Sequence, residues 1–227
     1  MLPPAAVLID IEGTTTPIAF VHKVLFPYAR ARLPGWCQVH CDAPVIGEVA
    51  RLAPGAMVVD TLLGWMDRDE KITPLKTIQG MIWAEGYKKG EITGDLYPDV
   101  APALRRWANS GVRLFVYSSG SVDAQKLLFG HSQTGNLTNL FQGFFDTKVG
   151  PKREAASYAL ISRGANVAAG EFLFLSDAEA ELDAAAAAGM LTCQLVRAND
   201  KTITSARHRA AADFAEVAKL CGLPKFA

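Results

Sequence analysis

Val7-Leu8-Ile9-Asp10-Ile11-Glu12-Gly13-Thr14-Thr15 is the stretch from which this chain of 227 residues is read. Three consecutive apolar residues after Ala5-Ala6 make a short, fully buried strand, and the polarity then changes abruptly to two carboxylates, a glycine and three threonines. At the carboxyl end of a parallel strand, carboxylates on alternate residues point to one side, so Asp10 and Glu12 can share one ion or one substrate. Gly13 permits a sharp turn at that point. Taken alone, the stretch is equally a strand followed by an acidic turn whose threonines cap the next helix.

The rest of the chain separates these readings. From Asp99 onward helix and strand alternate. Val100 to Asn109 is helical and Gly111 stops it. Val112 to Tyr117 is a strand rich in branched and aromatic residues, ending in Ser118-Ser119-Gly120. Ser121 caps a helix through Phe129, Phe144-Phe145-Asp146 is a short strand, and Lys152 opens a helix through Leu160. Glu171 to Leu175 is a strand ending in Ser176-Asp177; an alanine-rich helix from Leu182 to Ala188 and a last strand from Leu191 to Val196 follow. Ser205 to Leu220 reads as a surface helix with Ala210, Ala211, Phe214 and Val217 inward. This rhythm predicts an α/β fold, a parallel sheet with helices on both faces and ligands outside the carboxyl ends of its strands.

Between these parts lies a region without a buried strand. Val21 to Leu33 has helical spacing interrupted by Pro27, and Val45 to Leu52 and Met57 to Asp67 repeat apolar positions three and four apart. Thr73 caps another helix with Pro74 at its first position, and Glu85 to Gly90 is a glycine-punctuated loop. The expected organisation is a core of residues 1–15 and 97–227 with a helical insert at 16–96, and the joints near Thr16 and Tyr97-Pro98 are the expected hinges.

Composition narrows the partners. Half of the residues are apolar, and 23 lysines and arginines balance 23 aspartates and glutamates, so no bulk charge favours nucleic acid or an anionic membrane. A small-molecule partner is expected. Met1-Leu2-Pro3-Pro4 has no basic region followed by an apolar run, and no stretch approaches the roughly 20 apolar residues of a membrane span, which predicts a soluble, cytoplasmic protein. Cys37, Cys41, Cys193 and Cys221 are expected as free thiols, and Cys37, His40 and Cys41 lack a second cluster to complete a tetrahedral metal site. No heptad seam marks an interface, so the expectation is a monomer.

Laid side by side, the strand ends deliver Asp10 and Glu12, Ser118 and Ser119, and Asp177, with Lys152 at a helix start. Together they offer carboxylates for a magnesium ion, hydroxyl and amide donors for phosphate oxygens, and a cation to balance the charge. Phosphoryl transfer through an aspartyl-phosphate requires such a set.

Asp10-Ile11-Glu12-Gly13-Thr14, Val116-Tyr117-Ser118-Ser119-Gly120, Lys152 and Phe174-Leu175-Ser176-Asp177 resemble, in order, the four motifs of the haloacid-dehalogenase-like phosphatases. Glutamate as the second acid of the first motif departs from the usual aspartate. The segment from Tyr117 to Gly130 (Tyr-Ser-Ser-Gly-Ser-Val-Asp-Ala-Gln-Lys-Leu-Leu-Phe-Gly), with Gln79-Gly80 and Gly86 to Glu91, is similar to the enolase-phosphatase family of methionine salvage. The resemblance implies a Rossmann-like core of the haloacid dehalogenase type with an inserted α-helical cap. It also implies a bifunctional enzyme, an acireductone synthase, that enolises 2,3-diketo-5-methylthiopentyl-1-phosphate and then hydrolyses its phosphate ester to release the acireductone 1,2-dihydroxy-3-keto-5-methylthiopentene.

By this resemblance Asp10 is nucleophile and magnesium ligand, Glu12 a second ligand contact and an acid or base, and Asp177 the third protein ligand of one Mg2+ ion. Ser118 and Ser119 bind the phosphate, Lys152 neutralises it, and Glu181 orients a metal-bound water. Glu12 serves either the enolisation or the acid-base step of hydrolysis. Gln79, Trp83, Tyr87 and Lys88 are candidates for selecting the methylthio end. The rival classes are another phosphohydrolase on the same fold and a silent magnesium-phosphate binding module.

Overall fold

The computed structural model describes residues 3–226 and divides the chain into two compact units, residues 1–18 with 94–227, and residues 19–93. The first unit is an α/β layer structure around six parallel strands. They are β1 (Ala6–Ile9), β2 (Arg113–Tyr117), β3 (Phe141–Phe145), β4 (Phe172–Ser176), β5 (Leu191–Leu195) and β6 (Arg209–Ala211), in the order β3-β2-β1-β4-β5-β6. β1 is central because its four residues are apolar on both faces and fully buried, as a strand covered by helices on both sides must be. Chain order reverses on either side of it, so the crevice beyond its carboxyl end is the position where such sheets take ligands.

Alternate residues build the two halves of the core. Ala6, Leu8, Phe115, Tyr117, Phe172 and Phe174 face Tyr158 and Ile161 of α8 (Ala155–Ala165) and Leu182 and Ala185 of α9 (Glu179–Ala187). On the other face α6 (Val100–Asn109) packs on β2, and its Trp107 stacks on Phe214 of α10 (Phe214–Cys221) with ring centroids 5.3 Å apart. α7 (Val122–Gly130) packs beside β3 and is capped by Ser121, whose Oγ accepts from the Ala124 amide at 3.3 Å.

Two expectations in this unit are corrected. Ser205 to Leu220 is not one helix, since Arg209–Ala211 forms the edge strand β6, pairing Cys193 with Arg209 and Leu195 with Ala211. Three residues without a branched or aromatic side chain carry almost no strand signal, and Phe214 and Val217 supply a helical period that runs over them. The helix after Lys152 begins only at Ala155; Lys152 sits in the preceding turn, its carbonyl accepting from Tyr158 Oη at 2.7 Å.

The second unit is wholly helical. The chain enters through α1 (Ile18–Phe20) and a π-helical turn (Val21–Leu25). It then forms α2 (Phe26–Val39), α3 (Pro44–Leu52), α4 (Val58–Asp67) and α5 (Thr73–Lys88). Ala29, Leu33, Trp36, Val49, Leu62, Leu75, Ile78 and Ile82 form its core. Pro27 does not interrupt helicity; it falls in the first turn of α2, where a missing N–H is tolerated. Ile72, not Thr73, is the extended residue before α5, and Thr73 and Pro74 are already helical. The expected loop from Glu85 is helix to Lys88. Gly86 is there because a Cβ would lie 2.6 Å from the Tyr28 ring, so the glycine serves close packing and breaks nothing.

All four cysteines are free thiols, and His40 stacks on Trp36 at 4.3 Å. Among the described residues no helix is long and apolar enough to cross a membrane.

Candidate functional site

The turn after β1 is built backward onto one carbonyl. The amides of Thr14, Thr15 and Thr16 approach Ile11 O at 3.2, 2.9 and 3.0 Å, the Gly13 amide donates to Thr16 O at 2.9 Å, and Glu12 bridges to Thr16. Thr15 Oγ1 donates to Ile11 O at 3.2 Å and does not cap a following helix. Gly13 has φ +67°, and a Cβ there would stand 2.6 Å from Asp177 Oδ2, so the glycine is required both by its conformation and by the carboxylate against it.

The turn leaves Asp10 and Glu12 at the mouth of a cavity of about 170 Å³, lined also by Ile18, Ser118, Ser119, Lys152, Asp177 and Glu181. Each of the six residues singled out in the sequence therefore lies on one surface. Four elements converge there: the ends of β1, β2 and β4, and the turn before α8.

Lys152 organises the charge. Its Nζ lies 2.5 Å from Asp10 Oδ1 and 2.6 Å from Glu181 Oε2, and its side chain is 9% exposed. Burial alone would lower the lysine pKa, but the two carboxylates outweigh it and raise it. The turn carrying Lys152 is pinned from beneath: Tyr117 Oη donates to Gly150 O at 2.9 Å, Ser157 Oγ to Pro151 O at 2.8 Å, and Tyr158 Oη to Lys152 O. Glu181 is fixed a second time by Ser176 Oγ at 3.0 Å. Glu181 is thus an ion-pair partner of the lysine, in the first turn of α9.

Ser118 and Ser119 follow β2. Ser118 Oγ accepts from the Gly120 amide at 3.2 Å, which leaves its hydroxyl hydrogen available to donate. The loop is held by Gln125, 1% exposed, whose Nε2 donates to Gly120 O and to Phe145 O, both at 2.8 Å. Asp146, just beyond β3, accepts from the Val122 amide at 3.3 Å and ties the start of α7 to the same place. On the far side Gln194 Nε2 donates to Asp177 O at 2.9 Å and to Ile203 O at 3.1 Å.

Gln125 and Gln194 were not distinguished by sequence reading. Gln125 lies inside the 117–130 segment and Gln194 on the last strand, but nothing local marks an amide as a brace.

Four carboxylates, those of Asp10, Glu12, Asp177 and Glu181, face one lysine in the lining. Burial first, then the negative charge of Asp10 and Glu181, pushes the Asp177 carboxyl up to about 7; the Glu181 carboxyl is pushed up to about 6 by burial and by Asp10. The arrangement is short of positive charge. Among the described residues no three acidic, histidine or cysteine side chains already converge as a metal cage. Magnesium does not need one, because it is held by one or two carboxylates, substrate oxygens and several waters. The donor chemistry and the excess of negative charge fit that ion.

In the helical unit, Gln79 and Tyr87 are buried, Lys88 is exposed, and Trp83 Nε1 donates to Leu25 O at 2.8 Å while its ring stacks on Phe26.

A centre of this kind beyond the central strand of a parallel sheet belongs to a class, and the class is visible in the sequence: the profile of the haloacid dehalogenase-like hydrolases matches residues 4–189. Magnesium dependence is typical of that class. The chain is 55% identical over 229 residues to the protein named enolase-phosphatase E1 of Granulibacter bethesdensis, spanning 99% of each. It is 58% identical over 219 residues to the protein of that name from Acidiphilium cryptum, spanning 95% of this chain and 94% of the relative. The crystal structure of the UTR4 protein of Saccharomyces cerevisiae superposes with a TM-score of 0.81 at 36% identity, covering 93% of this chain and 98% of that one. The chain belongs to the enolase-phosphatase E1 family of these hydrolases.

Proposed function

We propose that this chain is the acireductone synthase of methionine salvage. It converts 2,3-diketo-5-methylthiopentyl-1-phosphate to 1,2-dihydroxy-3-keto-5-methylthiopentene and phosphate. Full-length kinship with the enolase-phosphatase E1 proteins supports the reaction. The observation that carries the chemistry is the contact of Lys152 Nζ with Asp10 Oδ1 in a cavity shared with Ser118 and Ser119.

With Oδ1 held by the lysine, Oδ2 of Asp10 is the oxygen that attacks phosphorus in line. The bond from phosphorus to the ester oxygen breaks as the aspartyl bond forms, and water then cleaves the acyl phosphate to regenerate the carboxylate. Ser118 and Ser119 donate to the phosphate oxygens, and Lys152 keeps its charge throughout to balance them. The preceding enolisation removes a proton from the carbon bearing the ester and places one on the neighbouring carbonyl oxygen; Glu12 is the residue of the turn assigned to proton transfer. Asp10, Glu12 and Asp177 are the residues that would hold one magnesium ion, which when bound neutralises phosphate charge and polarises its oxygens. Cytoplasmic residence and a monomeric state are part of this reading.

Anaerobic turnover of the diketo phosphate, with enol absorbance and released phosphate recorded together for the native chain and for Asp10→Asn, tests it. The native chain is expected to give both signals and the variant to lose phosphate release. Phosphate without enzyme-dependent enol would reduce the protein to an ordinary phosphatase.

A further inference from the structure

The turn that presents Asp10 and Glu12 is closed by its own backbone, yet its outer side is gripped from a point 183 residues away in sequence. Arg197, two residues beyond β5 and 4% exposed, donates to the Thr14 carbonyl with both Nε at 3.1 Å and Nη2 at 2.7 Å. Its Nη1 meets Asp99 Oδ1 and Oδ2 at 2.9 and 3.0 Å and the Ala212 carbonyl at 3.3 Å. The Tyr97 ring lies 4.1 Å from the guanidinium carbon, and the Tyr97 amide donates to Thr15 O at 3.0 Å. Asp99 also accepts from the Phe214 amide at 2.8 Å. One buried guanidinium thus connects the turn to Asp99, the residue before α6, and through Asp99 to the first residue of α10.

We propose that Arg197 is a positioning residue of the reaction described above: its fork fixes the Thr14 carbonyl, and through it the Gly13 backbone against which Asp177 rests. The inference rests on that reading of the site. Two N–H groups of one rigid plane on a single oxygen define where that oxygen lies, which a point cation cannot do. The ion pair with Asp99 would satisfy a guanidinium needed only for folding; the two bonds to Thr14 add location. There is no slack to absorb a shift, because Gly13 lies one residue away at φ +67° with Asp177 Oδ2 in the space of its absent Cβ. Movement of Thr14 therefore reaches Asp177 on one side and Glu12 on the other, and the spacing of carboxylates from the two segments changes together. Arg197 does not line the cavity and touches no reacting group.

Arg197→Lys keeps the charge and the pair with Asp99 but can place only one donor on Thr14. Asp99→Asn weakens the pair and leaves the fork in place. Both are compared with the native chain in three measurements: steady-state kinetics on the diketo phosphate and on p-nitrophenyl phosphate, thermal melting, and hydrogen exchange of the amides of residues 14–16. Arg197→Lys is expected to lower kcat about 10- to 100-fold with KM unchanged and to speed exchange at 14–16, while melting stays near native. Asp99→Asn is expected to lower the melting temperature with kcat and the exchange of 14–16 retained. Native kcat or native exchange in Arg197→Lys overturns the proposal, as does an equal loss of kcat in Asp99→Asn. If the native chain hydrolyses p-nitrophenyl phosphate and not the diketo phosphate, the functional reading fails, and kcat on the simple ester with the exchange pattern still decides the role of Arg197.

Discussion

Replacing Lys152 by methionine removes one charge from a side chain of similar length. Its Nζ touches Asp10 at 2.5 Å and Glu181 at 2.6 Å, and the three side chains are 9%, 7% and 15% exposed. Removing one partner of a buried ion pair costs about 3–5 kcal/mol, because the remaining charge is left desolvated. In a chain of this size each kcal/mol lowers the melting temperature by roughly 2–4 °C, so a loss on the order of 10 °C is expected in EDTA. The deficit has a pH signature. Carboxyls whose pKa is raised in the folded state bind protons more tightly folded than unfolded, so folding gains as pH falls. Without the lysine this applies to more of the cluster, and the deficit should be larger at pH 8 than at pH 5.5. Magnesium, carrying two charges to the same carboxylates, should restore more of the melting temperature in the variant than it adds to the native chain, while phosphate release stays lost. Differential scanning calorimetry in EDTA and in magnesium at both pH values, beside a phosphate assay, reads all of this. A variant that melts with the native chain in EDTA, or that still releases phosphate at the native rate, would refute the reasoning.

Asp177, pushed up to about 7 by burial and its carboxylate neighbours, must lose a proton to bind a cation below that pH; the rise in melting temperature given by magnesium should grow from pH 5.5 to pH 8, and a flat profile would remove Asp177 from the ligand set. Gly13→Ala places a Cβ at φ +67° and 2.6 Å from Asp177 Oδ2, so it should cost about 1–3 kcal/mol and weaken magnesium binding by calorimetry, whereas native affinity would mean that the turn is not fixed. Gln125→Leu leaves the carbonyls of Gly120 and Phe145 without their 2.8 Å donors, a loss of about 1–3 kcal/mol; KM for the phosphate ester should rise as the Ser118–Ser119 loop loosens, and unchanged KM would make the glutamine a stability residue only.

Five of the six strands and the strand-end residues of the cavity lining were legible for one reason: each depends on a local signal. A run of apolar residues that stops at a polar one marks a strand end whatever the rest of the chain does, and Asp10, Ser118 and Asp177 stand at such ends. Lys152 was read at a helix start as the cation that balances the acids, but a turn lysine has no local mark of burial between two carboxylates. Where the sequence misled, an opposing local signal was stronger than the true one. Gly86 looks like a breaker and is a packing site under Tyr28, and β6 is too short and too poor in branched residues to interrupt a helical period. Gln125, Gln194 and Arg197 belong to a third case. Their partners are main-chain oxygens, which every residue possesses, so no side-chain pattern announces them.

The two cations at the turn show why that third case matters to the chemistry. Lys152 lies in the cavity, where a compact charge on a flexible stem meets the carboxylates of Asp10 and Glu181 and, in the proposed reaction, the phosphate. Arg197 lies outside the lining, where a planar fork fixes one carbonyl and no ligand exchange is needed. Exchanging the two residue types would leave the net charge unchanged and defeat both tasks. Burial first, and then the negative charge of their neighbours, raises the Asp177 and Glu181 carboxyls, and the Asp10 and Glu12 side chains of the turn stand beside them in the same lining. The strand end brings the acids of the turn to the cavity, and the guanidinium proposed as a positioning group behind the turn holds their spacing.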